Sequence, residues 1–391
     1  MTTVLPLRTG ARRMRTLIAL SSASSSNGDV HRIVFETCSR LKDRFAFELA
    51  IDDHLSRNVA AVVEFGKALD IPVHVGSART GSNPSDLQNE DLPRLLKTRR
   101  WDVVEAHSWA GTGTIGNLRT HVGDLPLAFT PHYPPVRSIS RPSRRAESME
   151  GALSKIIRRA DVVFCASPLE ARTLQRTFAP DRDNCVVSPL GCDFRLFRPG
   201  TLHRQPQMVV VCEEGEPLSR LDRVLELYQR LSRMQPSLRL VLAGYAGEDA
   251  SRRIPDRLKS RVLIQSASTD RDLASLFAQS LALIHLSDKD SSGVSAVQAM
   301  ACGTPVLLSR TGAMKSLFAG FKGAYFCPSE DAGASAEVGA RVLRQSPLTI
   351  ERTLSDRSKL ESEFHWDRIA EARATQLQAA WFRRKYWAIS A

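Results

Sequence analysis

The 391-residue sequence has no CxxC pair, no paired carboxylates of the glycosidase type, no long apolar run and no fixed-period repeat. Its seven cysteines (Cys38, Cys165, Cys185, Cys192, Cys212, Cys302 and Cys327) are scattered and odd in number. That argues against a disulfide framework, and no His/Cys/Asp cluster has metal-ligand spacing. Most of these thiols fall in apolar, strand-like runs, as buried thiols of a reducing compartment do, so a cytoplasmic location is expected. No stretch approaches the roughly 18–20 apolar residues that cross a bilayer. The N-terminus places basic residues before a short apolar run at 17–20, but that run leads into SSASSSNG and reads as strand and loop rather than signal peptide. That serine-rich stretch is also the one segment of low complexity.

What is present is the composition of a globular protein, 42% apolar and 25% charged, at a length that predicts two domains. The formal net charge is +12, and basic residues cluster at 137–159 (Arg137, Arg141, Arg144, Arg145, Lys155, Arg158, Arg159). Such a cluster is either a solvated face or a surface for phosphates and acidic lipid heads. It lacks the interleaved aromatics of single-strand binders, so nucleic acid is not an expected partner.

Strand-like runs alternate with helical patterns along the whole chain. Predicted strands fall at 16–22, 45–51, 71–75, 102–106, 127–130, 162–166 and 186–188, then at 208–211, 238–243, 262–264, 281–286, 304–308 and 324–326. Helical spacing occupies the gaps, among them 30–41, 59–69, 218–234, 294–300 and 332–344, with a last helical segment over 367–391. Such alternation predicts α/β layers with parallel sheets. Pro199, Gly200 and Pro206 interrupt it and predict a linker. Two such halves predict two Rossmann-like domains facing a central cleft at the carboxyl ends of their strands.

The richest segment is DSSGVSAVQAMACGTP, residues 290–305. Its order is strand, small-residue loop, short helix, tight turn, strand. Ser291, Ser292 and Gly293 precede the helix start at Val294, where backbone amides suit a diphosphate. Asp290 and Gln298 lie eight residues apart with polar groups able to hold hydroxyls.

These residues resemble the GT-B glycosyltransferases, in particular the large retaining family 4 group that uses nucleotide-sugar donors. AVQAMACGTPVLLSRTGAM, residues 296–314, is similar to that family's signature of a glutamate followed by Ala-Met-Ala-x-Gly-x-Pro-Val. WDVVEAHSW, LPLAFTPHY, ADVVFCAS, VVSPLGCDFRLFRP and FHWDRIAE resemble other family segments, in the right order. The resemblance implies an α/β GT-B fold of two doubly wound domains. An N-terminal, acceptor-side domain is expected over 1–199, a linker over 200–206, a donor domain over 207–370, and a C-terminal helix, 371–391, packing back on the first domain. It implies that Asp290 contacts the donor sugar and Gln298 the ribose. Ser291, Ser292, Gly293 and Val294 would face the phosphates, with Arg220 as a nearby cation and Gly28 at a tight turn after the first strand. It places His132 in the cleft and His107 at a strand end, although a lone strand-end histidine is more often structural. The donor is a substrate, so no cofactor and no metal is expected.

Four departures bear on activity. Gln298 stands where the family has glutamate, which removes a charge-assisted bond. Glu213 and Glu214 fall where the family has Gly-Arg, reversing the local charge at a diphosphate site, with Arg220 and Arg223 as the nearest replacements. SSASSSNGD replaces a glycine-rich turn, and Glu105 stands where a first histidine is common. The leading expectation is retaining transfer of a sugar to a hydroxyl acceptor, lipid-linked or a polysaccharide precursor, with peripheral contact to an anionic membrane through 137–159. A non-catalytic partner or scaffold subunit is the alternative, and an epimerase or hydrolase on the same fold a third reading.

Overall fold

The computed structural model describes residues 12–20, 28–51, 59–75, 91–107, 122–132, 144–200, 203–212, 219–244, 248–267, 269–287, 292–310, 312–328 and 331–387, with backbone alone for 28–29, 91, 93, 144–149, 219–220, 248–250 and 387. Two compact units result. One comprises Met1–Leu190 with Trp366–Ala391, the other Gly191–His365.

The first unit holds a seven-stranded parallel sheet: β1 (Met14–Leu20), β2 (Phe45–Ile51), β3 (Val73–Val75), β4 (Val103–His107), β5 (Leu127–Thr130), β6 (Val162–Cys165) and β7 (Cys185–Val187), in the order β3-β2-β1-β4-β5-β6-β7. The second holds a six-stranded parallel sheet: β8 (Gln207–Cys212), β9 (Arg239–Gly244), β10 (Val262–Gln265), β11 (Ala282–His285), β12 (Val306–Ser309) and β13 (Ala324–Cys327), in the order β10-β9-β8-β11-β12-β13. Both sheets run outward in opposite directions from a central pair. The direction of winding therefore reverses between β1 and β4 in one and between β8 and β11 in the other. A doubly wound sheet opens a crevice at such a point, beyond the carboxyl ends of the strands.

The central strands are buried along their length because helices cover both faces, which explains their nearly unbroken apolar runs. Val104, Ala106, Leu127, Phe129 and Val163 belong to one core layer of the first unit. In the second unit, Val209, Leu283, Val306 and Leu308 face one layer, and Met208, Ile284 and Leu307 the opposite one. The edge strand β10 is largely exposed beyond Val262.

Three sequence expectations differ from this architecture. The first strand begins at Met14, two residues earlier than its apolar run suggested. The division between units falls after Leu190 rather than at 200–206. The cause is that the Pro/Gly-rich stretch is tied to the second unit. The Cys192 amide donates to the Phe364 carbonyl at 2.8 Å, and Phe194 and Phe197 enter that core with Leu360 and Phe364. Arg204 donates to Thr304 Oγ1 (2.7 Å) and to the carbonyls of Cys302 (3.1 Å) and Gly303 (2.9 Å). Finally, the last helix is Trp366–Trp387, starting five residues before 371, and the whole of it belongs to the first unit. Arg40 and Arg44 bond its Asp367 and Glu371 at 2.6 and 2.8 Å. All seven cysteines are free thiols. No described helix is long and apolar enough to cross a membrane.

Candidate active site

In the first unit, β4 delivers the chemistry. Its sequence VVEAH alternates faces, so Val104 and Ala106 enter the core layer while Glu105 and His107 share the other face. Residue 107 is the last of the strand and pairs with Leu20 of β1 and Thr130 of β5, which puts it at the carboxyl edge beside the switch point.

Glu105 and His107 are both 1% exposed, and so is Arg373 of the final helix. Arg373 lies over the Phe164 ring, its guanidinium carbon 3.9 Å from the centroid. Its Nη1 donates to Ser188 Oγ at 3.1 Å, and its Nη2 to Thr130 Oγ1 at 3.0 Å and to Glu105 Oε1. Burial alone would raise the Glu105 carboxyl, but the Arg373 guanidinium and the His107 ring outweigh it and hold it at about 2. Glu105 is therefore an anion at neutral pH and only accepts.

That fixes the protons further along. His107 Nε2 lies 2.9 Å from Glu105 Oε1, and His107 Nδ1 lies 2.8 Å from His132 Nε2, with the two rings stacked 5.1 Å apart. Burial lowers both imidazoles, His132 the further because His107 and Arg373 add to the effect, so both are neutral at pH 7. A neutral ring carries one proton. His107 must donate from Nε2 to the carboxylate, so its Nδ1 accepts from His132 Nε2. The remaining nitrogen, His132 Nδ1, is then an acceptor. The chain Arg373–Glu105–His107–His132 thus presents one imidazole lone pair at the end of a hydrogen-bonded series anchored on a buried ion pair.

In the second unit, the corresponding switch strand β11 ends at buried His285, and the helix Val294–Ala301 follows. Gly293 caps that helix in the left-handed region (φ 62°, ψ 22°). A Cβ there would meet Phe318 Cε2 at 2.7 Å, so only glycine makes this turn without displacement. All eight helix residues are buried, including Val294, Ser295 and Gln298, and the preceding Ser292 is buried too. The helix carries no charged side chain. Its start offers amides and the positive end of the helix dipole. Gly303 (φ 75°) closes the far end before β12.

The structure brings His107 and His132 into contact, and it sets Ser292, Gly293, Val294 and Gln298 on one turn and helix. Gly28 is the first residue of the helix Gly28–Leu41, after β1, and Arg220 the second of Ser219–Met234, after β8. Asp290, Ser291, Glu213, Glu214, Arg137 and Arg141 lie outside the described residues. Among the described residues no group of three or more His, Cys, Asp or Glu could hold a metal ion.

Family models divide the chain within a few residues of the boundary between its units. Glycosyltransferase Family 4 matches residues 30–196, and Glycosyl transferases group 1 matches 195–357. The chain belongs to this glycosyltransferase family. Among curated relatives of the family, the D-inositol 3-phosphate glycosyltransferase of Mycolicibacterium smegmatis is 23% identical over 305 residues, covering 70% of this chain and 66% of that protein. Its namesake from Acidothermus cellulolyticus is 24% identical over 300 residues, covering 69% and 65%. The chain therefore spans just under two thirds of the length of these relatives. Sucrose-phosphate synthase from Thermosynechococcus elongatus superimposes with a TM-score of 0.73 at 19% identity, over 94% of this chain and 100% of that one. Anabaena HepE, solved with UDP and glucose, gives 0.74 at 15% identity, over 94% and 100%. Both likenesses establish the GT-B fold.

For this glycosyltransferase-family chain, Arg373 is the member of the buried cluster around Glu105 and His107 that sequence reading missed. The signal was there: Trp366, Ile369, Ala370, Ala374, Leu377 and Ala380 mark a buried stripe, and Arg373 falls within it. A charged residue in such a stripe requires a buried partner.

Proposed function

We propose that the protein transfers a sugar from a nucleotide-sugar donor to a hydroxyl acceptor with retention of configuration. The observation that carries this reading is the Gly293 turn. It opens a wholly buried, uncharged helix directly beyond the switch strand of the unit matched to Glycosyl transferases group 1. An anion at that point meets backbone amides at no conformational cost. Gly293 and Val294 take the diphosphate with Ser291, Ser292 and Arg220. Gln298 holds the ribose and Asp290 the sugar. In the first unit Gly28 opens the helix that follows β1, and His132, backed by His107, accepts a hydrogen bond from a hydroxyl of the reacting sugar or acceptor.

In the reaction the bond from the sugar's anomeric carbon to the diphosphate oxygen breaks. The bond to the acceptor oxygen forms on the same face, and the acceptor's proton passes to the departing diphosphate. No strong protein base is needed, and no cofactor or metal is invoked. The inositol 3-phosphate in the name of the curated relatives, and the UDP held by HepE, make UDP-sugars and phosphorylated or lipid-linked hydroxyl acceptors the first to test. The setting is cytoplasmic, at the membrane face if the acceptor is lipid-linked.

Calorimetric titration with UDP, GDP and ADP tests the reading. One nucleotide should bind, and its sugar conjugate should give a product with the donor's anomeric configuration by NMR. No binding to any of the three overturns it. A second reading, a non-catalytic partner subunit, is favoured by Gln298 and by the Glu213-Glu214 pair. It predicts nucleotide binding without hydrolysis or transfer, or no binding at all.

A further inference from the structure

The final helix ends in WFRRKYW, residues 381–387, and this end is neither buried nor plainly solvated. Phe382 is 39% exposed and Tyr386 50% exposed. Their rings stack at 5.5 Å, and the Trp381 ring meets each edge-on at 5.1 and 6.4 Å. The Lys385 ammonium lies 4.5 Å from the Trp381 centroid and 5.7 Å from that of Tyr386. One turn of helix thus presents a compact aromatic cluster with a cation laid across it.

Further cations converge on the same edge of the first unit. Arg384 Nε bonds Asp161 Oδ1 at 2.8 Å, which brings the end of the last helix against the segment following the helix Arg144–Arg159. Arg182 reaches the Ala160 carbonyl at 3.4 Å, and Arg158 reaches Asp181 at 3.4 Å. Between these elements lies a recess of about 590 Å³, lined by Arg182, Arg383 and Arg384 with Asn184, Gln376 and the carboxylates Asp161 and Asp183, the first of which is paired with Arg384. Arg158, Arg159, Arg182, Arg383, Arg384 and Lys385 outnumber the carboxylates of the edge, which are Asp161, Asp181 and Asp183.

Cations at helix C-termini are ordinary, because they meet the negative end of the dipole. Exposed, mutually stacked aromatics between them are not, since they leave apolar surface uncovered by the described residues. We propose that this edge is a docking surface for an anionic phospholipid bilayer, with a lipid phosphate held in the recess by Arg182, Arg383 and Arg384. Aromatic rings with a polar tip settle at headgroup level, and the guanidinium fork matches phosphate oxygens. The rings contact each other and the lysine rather than lying open along a groove, which suits an interface better than stacked bases. The surface uses only the Arg158–Arg159 end of the basic segment marked in the sequence and adds a second element far along the chain. None of its residues belongs to the transfer site, so it stands or falls separately from the proposed transfer.

The test is co-flotation of the full chain with vesicles of phosphatidylcholine alone or mixed with phosphatidylglycerol. Binding is expected to the mixed vesicles alone, with a blue shift of tryptophan emission. Arg383→Gln with Lys385→Gln should weaken it about 30-fold, at about 1 kcal/mol per cation. Phe382→Ser with Tyr386→Ser should weaken it roughly tenfold at unchanged charge. Arg344→Gln with Arg352→Gln removes the same charge from exposed positions of the second unit and should leave binding intact. Absent binding, equal binding to neutral vesicles, equal loss in the Arg344/Arg352 variant, or tighter binding of single-stranded RNA at physiological salt would each overturn the proposal. UDP titration of the same variants should be unaffected.

Discussion

The two units share one strand order and put opposite chemistry at its switch point. Beyond β4 the first unit holds a buried chain of ionised and titratable groups, Arg373–Glu105–His107–His132. Beyond β11 the second unit holds a helix without a charged side chain, VSAVQAMA, opened by a left-handed glycine. The first site is kept in place by charge compensation and the second by backbone geometry. Removing a partner should therefore damage the first, and adding a single carbon atom should damage the second.

The largest effect is expected from Arg373→Ala. It strands the Glu105 carboxylate in a buried setting, which costs about 3–5 kcal/mol. Because two units rarely unfold as one, the loss should be read by hydrogen exchange in β4 and β11 separately. Protection should collapse in β4 and hold in β11. Combining Arg373→Met with Glu105→Gln should recover much of the loss. Unchanged exchange in β4 would mean that the ion pair does not hold the site together.

Gly293→Ala reverses the contrast. A left-handed alanine is strained by about 1–3 kcal/mol, before the displacement of Phe318 is counted. The expected outcome is lower protection around β11 and weaker UDP affinity, with β4 untouched. An alanine variant that binds UDP like the parent would remove the turn from the donor site.

The second site was legible in the sequence because it is contiguous: strand, glycine turn, helix and Gly-Thr-Pro turn fit within residues 281–309. Its central feature, the glycine before an apolar helix, needs no distant partner. The first site was half legible. His107 and His132 show as histidines at strand ends, but their proton arrangement depends on Glu105, which reads locally as a departure from the family pattern. Glu105 in turn depends on Arg373, 268 residues away. Spacing along the chain cannot reveal such a pair, although a buried-stripe arginine announces that a partner exists. The alternation of strands and helices was legible throughout, whereas the Pro/Gly signal at 199–206 misplaced the boundary. Composition marks where a chain turns, and it took Phe194, Phe197 and Arg204 to decide which core that stretch joins.

Acid should separate the units more gently. His31, His107 and His132 all titrate below the usual imidazole value of 6.5 in the folded chain, chiefly through burial. As pH falls, the unfolded chain binds protons first, so the stability present above 6.5 is lost as pH drops towards the folded values. Glu105 acts with the same sign in a lower window, between 4.5 and about 2. Exchange protection in β4 should decline from about pH 7 to about pH 5, and His132→Asn should flatten part of that decline. Constant protection over that range would contradict the neutral tautomers assigned to the pair.

The smallest effect concerns Gln298, buried on an uncharged helix. A neutral hydrogen bond to a ribose hydroxyl is worth about 0.5–1.5 kcal/mol, so Gln298→Ala should weaken nucleotide affinity about 2- to 10-fold and leave kcat at saturation nearly unchanged. Asp290→Ala should do the reverse, lowering kcat with little effect on UDP binding. Gln298→Glu supplies the family's charge-assisted bond and should tighten binding. If it also raises kcat, the neutral site is a weakened form of a charged one. If affinity rises while kcat stays the same, the neutral side chain limits donor binding alone. Equal loss of affinity and kcat in both alanine variants would contradict the division of roles between Asp290 and Gln298, and with it the picture of a donor gripped by geometry rather than charge.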